Sequence, residues 1–170
     1  MNNDKINLRA IELEDLDWLY KIENDEQLWN IGLTNVPYSR NILLDYITQS
    51  RADIYADKQL RLVIEDINDK TPVGIIDLVN FSPRHLRAEV GIVIEKKFRN
   101  KGFATSALLK IFDYCRNVIH LKQLYVVIGI NNLVSIKLFE NVGFVDAGLL
   151  KSWLSDGEKW ENARVYQFFL

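Results

Sequence analysis

The chain has 170 residues, 48% of them hydrophobic and 26% charged, so a single soluble domain with a sizeable buried core is expected. A formal charge of −2 argues against bulk attraction to nucleic acid or to an anionic membrane surface. One cysteine, Cys115, excludes an internal disulfide, two histidines without ligand spacing make no case for a metal, and no apolar run approaches membrane-spanning length. The start, MNNDKINLRA, lacks the apolar core of a signal peptide, and a cytoplasmic location is expected.

In chain order, residues 6–10 read as a short strand and 12–25 as a helix, with Leu13, Leu16, Leu19, Tyr20 and Ile22 on its apolar side. Seven acids against one base, Lys21, stand between Glu12 and Glu26. They make either a solvated helix face or an acidic lip for a cationic substrate. Residues 29–38 read as a loop with Gly32 and Pro37, and Ser39 caps a helix expected to run to about residue 55. Residues 60–66 and 73–80 form a predicted hairpin around Asn68 to Pro72, and Ser82-Pro83-Arg84 turns into the next strand.

That next strand opens the most informative stretch, LRAEVGIVIEKKFRNKGFATSALLKIF. Ala88, Val90, Ile92 and Ile94 alternate with Glu89, Gly91 and Val93, the period of a pleated strand. After Arg99-Asn100-Lys101-Gly102 the period becomes helical, with Ala104, Leu108, Ile111, Phe112, Cys115, Val118 and Ile119 as the apolar stripe. A loop feeding a helix start aims unpaired N–H groups and the positive end of the dipole at one place, which suits an anion. Residues 123–130 form another strand, giving a right-handed parallel crossover. Asn132 to Asn141 is a short helix ended by Gly143, and two strand-like runs around Ser155-Asp156-Gly157-Glu158 finish the chain. The fold expected is α/β (α+β): a single mixed, mostly antiparallel sheet with one parallel strand pair and helices on both faces.

The spacing of a Walker A loop, GxxxxGK[ST], and of a dinucleotide fingerprint, GxGxxG, is absent. What the chain carries is R-x-x-G-x-A, at Arg99, Gly102 and Ala104, followed by N-x-x-S-x-x-L-F-E-x-x-G-F from Asn132 to Phe144. On these two motifs the chain resembles the GNAT superfamily of acetyl-CoA-dependent N-acetyltransferases over nearly its whole length, 1–170, as one domain. Within it the start N-L-R-A-I-E-L-E-D-L, the R-A-E of residues 87–89, K-x-L-Y-V-V and G-E-K-W-E-N-A look most like bacterial spermidine/spermine N-acetyltransferases and ribosomal-protein N-terminal acetyltransferases.

The resemblance implies acetyl-CoA as cosubstrate and no metal. The backbone of Arg99, Asn100, Lys101, Gly102, Phe103, Ala104 and Thr105 would cradle its pyrophosphate, with charge from Arg99 and Lys101. Ile92, Val93 and Ile94 would pair with the pantetheine arm, an N–H near Val93 would face the thioester oxygen, and Asn132 and Ser135 would stand on the other side of the cleft. Glu89 is the candidate base, through a water, with a simple strand ion pair as the alternative. Phe139 stands where many relatives have a tyrosine that protonates the departing thiolate, which leaves a different donor such as Tyr125 or Ser135, a water, or acyl-CoA binding without efficient turnover. The 32–39 loop lacks the carboxylates with which polyamine enzymes bind a regulatory polyamine. The expected acceptor is a small amine such as spermidine. The alternatives are a protein N-terminus or an acyl-CoA sensor without turnover. Partners are then the amine and acetyl-CoA, with no nucleic acid or membrane, and a homo-oligomer remains open.

Overall fold

The computed structural model describes residues 5–29, 36–50 and 53–170. The sheet contains, in chain order, β1 (Ile6–Arg9), β2 (Leu60–Asp66), β3 (Pro72–Ser82), β4 (Arg87–Ile94), β5 (Gln123–Gly129), β6 (Val145–Ser155) and β7 (Trp160–Phe169). The helices are α1 (Leu16–Glu23), α2 (Glu26–Trp29), α3 (Arg40–Gln49), α4 (Ile54–Asp57), α5 (Phe103–Tyr114) and α6 (Leu133–Asn141). The spatial order is β1-β2-β3-β4-β5-β7-β6, and every neighbouring pair is antiparallel except β4 and β5. The mixed sheet with one parallel crossover is therefore as the sequence pattern implies. Among the described residues, no helix is long and apolar enough to cross a membrane.

The alternation along β4 sorts the two layers. Ala88, Val90 and Ile94 are buried with Leu108, Ile111 and Phe112 of α5, while Val93 joins Leu19, Ile22, Leu43 and Ile75 under α1 and α3. Gly74 of β3 is required for the close approach of these strands. A Cβ there would lie 2.2 Å from the Val93 carbonyl oxygen, a backbone atom that cannot move aside.

Several boundaries differ from the sequence reading. The first helix is broken: a 3₁₀ turn at Leu13–Asp15 precedes α1, and α2 is separate. The break at Asn24 has a local cause, because its amide donates to the Tyr20 and Tyr38 carbonyls and accepts the Tyr38 N–H. Ser39 does cap α3, accepting the Ile42 N–H at 3.2 Å, but that helix ends at Gln49, and Asp53 caps the short α4. Residues 30–35 of the expected 29–38 loop, and 51–52, lie outside the described residues. After α5 the backbone widens into a π turn at Cys115–Ile119. The extra residue rotates the stripe, so Ile119 is buried while Val118, expected inside, is 60% exposed.

Cys115 is fully buried, and that burial pushes its thiol up to about 12. Iodoacetamide at pH 8 is expected to leave it unmodified in the native protein and to label it in urea. Ionisation also sets a slope in stability. Between the thiol's unfolded value near 8.5 and its native value, the unfolded state releases a proton that the native state retains. Stability should then fall by about 1.4 kcal/mol per pH unit in that range, and Cys115→Ala should lose that part of the alkaline slope.

Candidate active site

The parallel ladder between β4 and β5 is short. Only Arg87, Ala88 and Glu89 pair with Gln123, Leu124 and Tyr125. Beyond Glu89, β4 continues against β3 alone and β5 against β7 alone. The two strands part into a wedge, and alternate N–H and C=O groups of residues 90–94 face into it rather than toward β3. An extended amide-bearing chain can complete such an edge as an added strand. Ile92, Val93 and Ile94 stand on this free edge.

At the open end of the wedge, Asn100 and Gly102 both have positive φ, +61° and +84°. These left-handed residues turn the chain into α5, and Gly102 is its N-cap with no side chain over the helix start. The first N–H groups of α5, on Phe103, Ala104 and Thr105, are left without a side-chain cap, and the dipole favours an anion there. Arg99 is tied back, its Nε donating to the Ile94 carbonyl at 3.0 Å, which fixes the loop to the end of β4. Lys101 lies 5.4 Å from the centre of the Phe98 ring. One cation escaped sequence reasoning: a Cβ on Gly102 would be 3.6 Å from Nζ of Lys5. Lys5 precedes β1 and is far away in sequence, so no local motif announces it. The residues present fit a pyrophosphate: a concave run of N–H groups, a glycine at the closest approach and nearby ammonium groups.

Asn132 does something specific on the far side. It is the N-cap of α6, its side-chain oxygen accepting the Ser135 N–H at 3.2 Å. That oxygen is committed to the helix, leaving the Asn132 amide nitrogen and the Ser135 hydroxyl as groups for a ligand. Phe139 is 3% exposed and packs edge-on against Phe144, 5.0 Å between ring centres. It belongs to a stacked aromatic group with Phe112 and Phe168.

Glu89 and Tyr125 occupy the last paired rung before the strands separate. The Glu89 carboxylate accepts the Asn80 amide at 2.8 Å and stands beside Tyr125, its register partner on β5. It makes no ion pair within 4.0 Å among the described residues, so the strand ion pair weighed in the sequence is not formed. Tyr125 is raised above the ordinary phenol value, by burial first and then by the charge and hydrogen bond of Glu89. It therefore keeps its proton at neutral pH. Gly91, on the Glu89 face of β4, leaves open space: a Cβ there would meet only the Asp77 Cβ, at 3.9 Å. Asp77 is held by Arg61 through two hydrogen bonds, 2.8 and 2.9 Å. Among the described residues, no cluster of three or more His, Cys, Asp or Glu side chains could hold a metal ion.

Three of the seven acids of the first helical region are held by arginines. Asp15 is paired with Arg9, Asp17 with Arg40 and Glu23 with Arg61. An acidic lip built from these three is thus neutralised by arginines of the same fold. Trp18 donates its indole N–H to Glu95 at 2.5 Å and packs with Leu19 and Ile22. The Trp29 side chain lies outside the described residues, whereas Trp153 and Trp160 are exposed on β6 and β7.

Comparison with known proteins places this geometry. The family model described as an acetyltransferase (GNAT) domain matches residues 5–145. The spermidine N(1)-acetyltransferase of Vibrio cholerae is 26% identical over 165 residues, covering 96% of this chain and 93% of that protein. The crystal structure of the V. cholerae enzyme in complex with CoA and spermine shares the fold, with a TM-score of 0.85 at 24% identity, over 97% of this chain and 95% of that one. A dodecameric structure of the same enzyme gives a TM-score of 0.80 at 25% identity, over 97% and 94%. With most of its length inside the family model, and the split sheet and glycine loop in place, the chain belongs to the GNAT acetyltransferase family.

Proposed function

We propose that the chain moves an acetyl group from acetyl-CoA directly to a primary amine, and that the amine is an aliphatic polyamine such as spermidine. The observation that carries this is the Glu89 carboxylate, held by the neutral Asn80 amide beside the wedge and free of an ion-pair partner within 4.0 Å among the described residues. An alkyl ammonium with a pKa near 10.4 is neutral in about one molecule per few thousand at pH 7, a penalty of about 4.6 kcal/mol. A peptide α-amine, at about 7.7–8.0, suffers only about 1 kcal/mol. A fixed carboxylate that accepts the proton is worth most to the alkyl amine. The activity of the V. cholerae relative supports the same acceptor.

Acetyl-CoA supplies the activated acetyl thioester. The chain's own residues hold it along Ile92 to Ile94 and at Arg99 to Thr105, with Asn132 and Ser135 across the wedge. Glu89 takes the amine's proton, directly or through a water. The Tyr125 hydroxyl is the donor for the departing thiolate, in place of the hydroxyl that Phe139 lacks. A thiolate whose acid has a pKa near 8.5 leaves readily enough that a distant donor suffices. Residues 1–170 form one domain in this reading, since β6 and β7 extend the sheet of the matched segment. A cytoplasmic homo-oligomer is the corresponding assembly, supported by the dodecameric relative.

The test is release of free thiol from acetyl-CoA over a panel of spermidine, spermine, aminoglycosides and N-terminal peptides. Polyamines are expected to accelerate release at least about 10²-fold over water, within the range of a positioned base. Faster release with peptides would assign a protein N-terminus instead. Tight acetyl-CoA binding with no acceptor-dependent release would make the chain a sensor, the reading that the buried Phe139 favours.

A further inference from the structure

The β3–β4 ladder has an irregularity beside the site. Val79 pairs with Glu89 and Ser82 with Arg87, so Asn80 and Phe81 together stand opposite the single residue Ala88. This bulge sends successive side chains to uses that an even strand would not allow. Phe81 is 5% exposed and meets the Tyr55 ring edge-on at 5.1 Å. Asn80 takes a φ of +50°, a left-handed conformation that asparagine tolerates better than most residues. Its amide then donates to Glu89 at 2.8 Å, and Glu89 is the register partner of Tyr125 on β5. Three adjacent strands thus bring one amide, one carboxylate and one phenol together.

We infer that Asn80 is a positioning residue for the acetyl transfer: its amide, aimed by the bulge, fixes the Glu89 carboxylate beside Tyr125 at the mouth of the wedge. The choice of an amide has a chemical consequence. A lysine or arginine at position 80 would hold the carboxylate equally well but would favour its charged form and weaken it as a base. A carboxylate there would repel it and favour protonation. The amide orients without adding charge, and only one of the carboxylate's acceptor positions is used by it. The remaining positions are available to the amine or to a bridging water.

This inference rests on Glu89 being the base, so the experiment carries Glu89→Gln beside the Asn80 variants. Asn80→Gly keeps the left-handed backbone accessible and removes only the amide. It is expected to lower kcat/KM for spermidine about 5- to 20-fold, as loss of one hydrogen bond to a charged group would. The thermal midpoint and the Kd for acetyl-CoA should stay at wild-type values. Asn80→Asp keeps the shape and adds charge, and should move the acidic limb of the kcat/KM profile upward by about one pH unit. If Glu89→Gln loses activity while both Asn80 variants keep the wild-type rate and profile, Asn80 has no positioning role. If Glu89→Gln keeps the wild-type rate and profile, the base assignment and this inference fall together. A rate loss in Asn80→Gly that coincides with a lowered midpoint and weaker acetyl-CoA binding would also overturn it, as a structural effect of the bulge.

Discussion

Glu89→Gln is expected to lower kcat/KM for an alkyl amine at pH 7 by about 10²- to 10⁴-fold, the usual contribution of a positioned base. In barrier terms this is about 2.7–5.4 kcal/mol, comparable to the roughly 4.6 kcal/mol needed to present the neutral amine at that pH. The glutamine is nearly isosteric. Its oxygen can still accept from Asn80, and folding should be unaffected. The deficit should shrink as pH rises, because free amine accumulates in solution toward pH 10 and the variant no longer needs help with the proton. The profile of the variant therefore rises further into the alkaline range than that of the wild type. Equal loss at every pH would indicate that Glu89 holds the acceptor without taking its proton, and an unchanged profile would remove it from the mechanism. With a peptide α-amine the loss at pH 7 should be smaller, since only about 1 kcal/mol is at stake.

The strand, turn and helix of the proposed cofactor half of the site were legible because their determinants are local. Strand alternation, Gly102 at the turn and the helical stripe after it all fall within residues 86–112, and the structure turns them into a free strand edge and an uncapped helix start. Asn132 was legible as a conserved-looking motif position only by resemblance, and the structure gives it a capping bond that spacing alone had not assigned. The residues that were missed come from distant strands or from broken periodicity. Lys5 reaches Gly102 from the start of β1. Asn80 sits in a bulge, where two residues oppose one and no alternation pattern can say which way either points. Val118 was misplaced for a related reason, since a π turn adds a residue that a fixed helical period cannot anticipate. The acids of residues 12–26 looked alike in sequence, but three of them face arginines contributed by β1, α3 and β2.

That last contrast leads to the largest expected effect on stability, at Arg9. Its Nε donates to Glu65 at 2.5 Å, and its two terminal nitrogens donate to Asp15 at 2.6 and 2.8 Å. The Asp15 and Glu65 side chains are only 6% and 9% exposed, and Asp15 also accepts the Glu12 N–H at 2.8 Å. Arg61 does the corresponding work at Glu23, eight residues after Asp15, joining it to Asp77, so α1 is clamped to the sheet near both ends. Arg9→Met keeps much of the aliphatic stem but leaves the nearly buried Asp15 without a cation and Glu65 with only the distant Lys70, at 3.9 Å. A loss of about 3–5 kcal/mol is expected at pH 7, the cost of an uncompensated buried charge. The pH dependence fixes the cause. In the wild type burial pushes the Asp15 carboxyl up, but the hydrogen bonds from Arg9 and the Glu12 N–H outweigh it and leave it below the usual value. Its contribution is therefore present above the unfolded pKa, near 3.9, and is lost as pH falls through the lower native value. In the variant burial is unopposed by Arg9, so the native state binds protons more readily than the unfolded chain and gains stability on acidification. Urea unfolding at pH 7 and pH 4.5 should show the gap between variant and wild type narrowing at the lower pH. A gap below about 1 kcal/mol at pH 7, the range of an exposed pair, or one that widens on acidification, would show that Arg9 acts through packing rather than charge.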